Sequence, residues 1–454
     1  MATVPARVLW VTYDFPPRQA AGAFRPIKLY KYLDHHKYRI EFLTSPAESY
    51  AAGERLLDGI EPAPIVHRAR GLPADRFLEP LERLLARLGL GSGASARGPL
   101  WKRAGYRLAL SSVFPDKHAI WGCMAALRAY ALHRRRPFDA IYTTSHPESA
   151  HLPGLLLRRL GVPWIADYRY GGPLWTTNLH ARRPTLWNPR RYLAWQRRVL
   201  EGADIVVTQS ETLRRDFSTA FDLDDTRILT VPNGYDEDDF AGFDGLAAPF
   251  TRRPGELHLV HVGGDWFADQ SNVAALCTLL RDLKAEVGGN DVVLHALGVD
   301  ILPGAGVERG FRYVYHGPKP HAQVFPFLAH ADAFLLSTMA RTGDDRSITG
   351  FLPSKLWEYL RAGKPILWMG PQDDAWRNAQ ECGAVVYLGQ LGAPVAITAA
   401  DVLSAIRAGV PGKDRAFTHQ WDRRAALFTG ALDRALHRGT GLTRDGTSNR
   451  DWQT

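Results

Sequence analysis

Two series of short apolar runs, each alternating with helix-like stretches, constrain the fold of this chain more than any other feature. The first series is residues 8–13, 40–44, 140–143, 164–166 and 205–208. The second is residues 257–262, 292–296, 313–315, 333–336, 365–367 and 384–387. Runs of this length suit strands buried on both faces. Helical stretches fall between them, near Arg25-Pro26 and over residues 149–160, 190–200 and 272–286. Proline suits the first turn of the first of these. Such alternation predicts parallel sheets with helices on both faces. The pattern restarts after Pro232-Asn233-Gly234-Tyr235-Asp236, a turn signal, and the acidic stretch to about Pro254 reads as a linker. We therefore expect α/β architecture: two doubly wound Rossmann-like domains, residues 1–240 and 241–412, facing across a cleft. In such sheets ligands bind beyond the carboxyl ends of the strands.

A length of 454 residues accommodates this plan. The apolar content of 45% and charged content of 23% are those of a globular protein. No apolar run is long enough to span a bilayer, and residues 1–7 lead into a strand without a signal-peptide core. Cys123, Cys277 and Cys382 lie far apart, forming neither a disulfide framework nor a metal cluster. A cytoplasmic protein is the expectation, with peripheral contact at the inner face of the plasma membrane as an option raised by the net charge of +9. No nucleic-acid module is visible, so no nucleic-acid partner is expected. Residues 76–121 interrupt the first domain, either as a helix packed on it or as a basic, aromatic surface touching a membrane or lipid-linked acceptor. The polar tail, residues 439–454, is expected to be disordered.

Residues 351–365 carry the most chemistry. Leu352-Pro353-Ser354-Lys355-Leu356-Trp357-Glu358 opens a short helix that Gly363-Lys364-Pro365 ends. A helix start offers free N–H groups and the positive end of the dipole, which attract phosphate. Lys355 adds a cation there, and Glu358 can accept hydrogen bonds from a sugar diol. The same letters also spell an ordinary capped helix, and both readings stand on this segment alone.

Taken in order along the chain, the two halves, the opening loop, residues 231–236 and residues 352–358 resemble bacterial nucleotide-sugar-dependent glycosyltransferases of family 4, with GT-B architecture. The resemblance covers about residues 5–435. It implies that Gly22 and Gly263 let backbone approach the donor diphosphate, that Ser354 and Lys355 hold phosphate, that Glu358 binds the ribose and that Gly317 lines the base pocket. It also implies a last helix, within residues 413–438, crossing back to the first domain. Two departures stand out. Gly350 occupies the place of a family glutamate, and residues 263–269 lack the usual arginine–lysine clamp. Lys355 is the first candidate to replace that clamp, followed by Arg341, Arg346 and Arg25.

The resemblance implies retaining transfer from a nucleotide sugar to a hydroxyl acceptor, without a metal or other cofactor. His146 would face the reacting sugar, although a loop histidine bonded to backbone is an equal reading. Asp167 could deprotonate the acceptor and Arg169 meet an anion, or the two could form a local ion pair. Asp222-Leu223-Asp224 and Asp236-Glu237-Asp238 spell the diphosphate-binding Asp-x-Asp of metal-dependent glycosyltransferases but read as solvated loop carboxylates. Partners would be the donor and a polysaccharide, glycolipid or secondary-metabolite acceptor. A sugar-nucleotide 2-epimerase and a non-catalytic nucleotide-sugar-binding protein are the rival readings. A dehydrogenase is disfavoured, because the opening loop lacks Gly-x-Gly-x-x-Gly.

Overall fold

A computed structural model describes residues 4–17, 21–46, 57–71, 114–116, 118–170, 189–263, 270–288, 291–302, 310–338, 352–390 and 393–444. The chain divides into two compact units. The first comprises residues 1–231 and 425–454, and the second residues 232–424.

The first unit is built on β1 (Ala6–Val11), β2 (Tyr38–Thr44), β3 (Ile65–Arg68), β4 (Ala140–Thr144), β5 (Trp164–Tyr168), β6 (Ile205–Thr208) and β7 (Ile228–Thr230). They pair in parallel in the order β3-β2-β1-β4-β5-β6-β7. Alternation along each strand sends side chains to two faces. Leu9, Val11, Ile141 and Ala166 join Trp121, Ala125 and Phe217 in one core. On the other face Trp10 meets Phe428 edge-on at 5.3 Å, and Tyr142 meets Phe428 at 5.0 Å. Phe428 belongs to the last helix, Trp421–Arg444, which also pairs Asp433 with Lys37 at 2.7 Å.

The second unit contains β8 (Leu257–Val262), β9 (Val292–Leu297), β10 (Arg312–Tyr315), β11 (Ala333–Ser337), β12 (Ile366–Met369) and β13 (Val385–Gly389). These are parallel in the order β10-β9-β8-β11-β12-β13. One face packs Leu259, Leu294 and Leu335 on Leu276, Leu280 and Val402. The other packs Val260, Phe334 and Trp368 on Phe325, Trp357 and Leu360. In each sheet strand order reverses once, at β1/β4 and at β8/β11, and such switch points open crevices at the carboxyl ends of the strands.

Three expectations change. The second unit begins at Pro232, not after residue 240, and its start is no loose linker. Tyr235 N donates to the His419 carbonyl at 3.1 Å, Phe240 and Phe243 are buried in the core, and Arg361 pairs with Glu237 at 2.8 Å. Aromatic burial outweighed the turn-and-acid composition that suggested a connector. The last residues of the supposed insertion belong to the helix Ala119–Arg135, anchored by buried Trp121, and residues 72–113 and 117 lie outside the described residues. The final helix runs to Arg444, past the expected start of a disordered tail, and residues 445–454 lie outside the description.

Candidate functional site

Three glycines collect at the carboxyl ends of β8, β9 and β10. Gly263, Gly298 and Gly317 have φ of +65°, +94° and +69°, a left-handed conformation that disfavours side chains. Gly263 N donates to Leu297 O at 2.7 Å, and Gly298 N donates to Gly317 O at 3.0 Å. A Cβ on Gly298 would come within 3.1 Å of Gly263 Cα, so the turns lie against each other.

The helix Ser354–Ala362 is tied to the first of these turns. Pro353 occupies its N-cap without a capping side chain, and Gly363 closes it at φ +69°. Lys355 Nζ donates to the Val262 carbonyl at 2.6 Å, and the Val262 amide donates to the Tyr359 hydroxyl at 2.9 Å. Two residues one helical turn apart thus clamp the last residue of β8, directly before Gly263. Burial of the ammonium pushes Lys355 down to about 7. Ser354 is exposed, Pro353 is buried, and Leu352, 3% exposed, belongs to the hydrophobic core. Glu358 Oε1 lies 2.6 Å from His321 Nε2, both side chains remaining partly exposed. Ser337 and Thr338, at the end of β11, have buried hydroxyls without a hydrogen-bond partner among the described residues.

In the first unit the loops after β1, β4 and β5 meet. Gly22 packs so closely on Asp14 and Arg169 that a Cβ there would lie 2.7 Å from Arg169 Nη1. Arg169, 8% exposed, donates to the carbonyls of Ser145 and His146, the latter at 3.0 Å. His146 Nδ1 is 3.5 Å from Glu148 Oε1. The imidazole is partly exposed, whereas the carboxylate is buried near the Tyr168 and Tyr192 hydroxyls.

Arg25 and Asp167 take a different place from the one expected. Arg25 donates to Asp167 through Nε at 2.7 Å and Nη2 at 3.1 Å, and the Tyr142 hydroxyl donates to the same carboxylate. Both charged residues are essentially buried. Burial opposes the Arg25 charge, but Asp167 and Tyr142 hold its pKa above the ordinary value. The ion partner of Asp167 is therefore Arg25, not Arg169, and the pair braces β5 rather than facing a ligand. Arg341, Arg346 and Gly350 lie outside the described residues.

Residues 27–234 match the glycosyl transferase 4-like domain family. That stretch carries a glycosyl transferase 4-like domain. The chain's two parallel sheets give it the GT-B architecture, and solved structures share that fold across nearly its full length. Sucrose-phosphate synthase from Thermosynechococcus elongatus has a TM-score of 0.55 at 13% identity, covering 97% of this chain and 98% of that one. A putative UDP-N-acetylglucosamine 2-epimerase from Listeria monocytogenes has 0.54 at 10%, covering 96% and 97%. The E. coli structure described as trehalose-6-phosphate bound with UDP-2-fluoro glucose has 0.51 at 12%, covering 96% and 98%. No curated protein matches by sequence. At these identities the likeness is one of fold.

The structure brings Gly22, His146 and Arg169 together in the first unit. It brings Gly263, Gly317, Lys355 and Glu358 to one edge of the second. Sequence reasoning passed over Glu148, Gly298, His321 and Tyr359. Glu148 stood two residues after His146, and Tyr359 four after Lys355, so local spacing was available as a signal. The pairing of His321 with Glu358 joins residues 37 apart and had none.

Proposed function

We propose that this protein is a glycosyltransferase that moves a sugar from a nucleoside diphosphate donor to an acceptor hydroxyl, with retention and without a metal. Lys355 at the start of the Ser354 helix, 2.6 Å from the last carbonyl of β8, carries this reading. As the sugar–phosphate bond breaks, the diphosphate gains charge. Lys355, the positive end of the helix and the amides of the Gly263 turn would stabilise that charge. The hydroxyls of Ser337 and Thr338, unpaired among the described residues, are further donors suited to a bound ligand. Glu358, steadied by His321, would accept hydrogen bonds from the ribose. The turn at Gly317 suits the base.

In the first unit, His146 would contact the transferred sugar, with Glu148 fixing its ring and Arg169 fixing its loop. Asp167 is engaged by Arg25 and Tyr142, which favours a course needing no acceptor base at that position. One carboxylate of each Asp-x-Asp sequence serves a local turn: Asp224 accepts from Thr226 N at 2.8 Å and Asp236 from Asp238 N at 3.1 Å. This supports leaving-group neutralisation by protein groups.

The test is incubation with a panel of uridine-, guanosine- and thymidine-diphosphate sugars, with and without candidate acceptors, read by mass spectrometry and anomeric proton NMR. Release of the nucleoside diphosphate and an axial-to-axial or equatorial-to-equatorial product support the reading. Inversion at C2 of the sugar without an acceptor would make the protein an epimerase. Binding without turnover would make it a carrier of the same ligand.

A further inference from the structure

The helix Ala119–Arg135 of the first unit is apolar on both sides. Trp121, Ala125, Ala129 and Leu132 fill the core. The opposite side carries Ile120, Met124, Leu127 and Tyr130, exposed by 44, 43, 60 and 41%. Their spacing of four, three and three residues puts them on one stripe. Cys123 is exposed beside them. A helix apolar all round is ordinarily covered all round, and a contiguous exposed apolar patch marks a contact surface.

Charge indicates what covers it. Arg128 and Arg135, seven residues apart, follow one border of the stripe, and Arg134, seven residues after Leu127, continues its line. Arg136 caps the helix. The side chains of these four arginines have no hydrogen bond or ion pair among the described residues, and the helix contains no acidic residue.

We propose that this face docks on an anionic phospholipid bilayer. The four apolar side chains enter the boundary between headgroups and acyl chains, while the arginines meet lipid phosphates. The chain's net charge of +9 adds long-range attraction to the same surface. No chemical step depends on this docking, so it stands or falls apart from the proposed transfer reaction.

The full chain carrying Cys277→Ser is labelled at Cys123 with an environment-sensitive fluorophore. It is then mixed with vesicles of about 30 mol % phosphatidylglycerol in phosphatidylcholine. The expected result is blue-shifted emission and co-sedimentation that weaken with salt and are absent with phosphatidylcholine alone. Met124→Asp/Leu127→Asp should weaken partitioning by about tenfold or more, with an unchanged melting temperature. Arg134→Gln/Arg135→Gln/Arg136→Gln should do so by about tenfold at low salt. Absence of vesicle binding, or binding unaltered in both variants, overturns the proposal. So does a Cys123 that resists labelling without vesicles, which would mean the chain's own residues 72–113 cover the stripe. A concentration-dependent dimer lost in Met124→Asp/Leu127→Asp would assign the face to a second copy and overturn it equally.

Discussion

Lys355 links affinity to acidity. In the free protein its burial brings it to about 7, so above that pH the ammonium is increasingly neutral. A bound diphosphate favours the charged form and raises the value again. The sign follows: donor binding takes up a proton above pH 7, and affinity falls as pH rises until the pKa of the complex is passed. Calorimetry near pH 8 in buffers of different ionisation enthalpy should show uptake approaching about one proton, abolished in Lys355→Met. In turnover, Lys355→Ala should lose on the order of 10²-fold, as when one donor to a developing anion is removed. Wild-type turnover in that variant would exclude Lys355 from leaving-group stabilisation. Glu358→Ala should weaken donor binding by about tenfold. His321→Ala separates the roles. If Glu358 only anchors His321, the two variants have equal effects; if it holds ribose, loss of the glutamate is the more severe.

At the scale of elements, the buried Arg25–Asp167 pair is a brace between the helix Ala21–Lys31 and β5. Breaking it leaves an uncompensated buried charge. Arg25→Met should therefore cost about 3–5 kcal/mol of stability, read as a lowered denaturation midpoint. A variant with native stability but no turnover would restore these residues to direct chemistry. Gly22→Ala should displace Asp14 and Arg169, and with them the carbonyl anchors of the His146 loop. Turnover should fall, and equilibrium binding beside steady-state rates shows whether donor affinity falls with it, as it should if Gly22 also lets backbone approach the donor diphosphate.

The central strands of both sheets were legible because burial on two faces demands uninterrupted apolar runs. β3 and β7 were not. Ile65–Arg68 is a partly exposed edge bearing His67 and Arg68, and Ile228–Thr230 is only three residues long. The turns at Gly263 and Gly317 and the start of the Ser354 helix were legible for similarly local reasons, since turn and cap residues act on their neighbours. The partner of Asp167 was not, because 142 residues separate it from Arg25 and only the parallel order of the strands brings them together.

For the whole molecule, the chain passes between its units twice, after Val231 and after Arg424. Phe428 and Asp433 return to the first sheet only on the second passage. Ending the chain at residue 420 should uncover Trp10 and Tyr142 and leave Lys37 unpaired, giving an aggregating product, as size-exclusion chromatography would reveal. The first unit is written in two separate pieces of the gene. No choice of a single stop codon encodes it whole, and an engineer who wants it alone must splice residue 231 to residue 425 through a short artificial bridge.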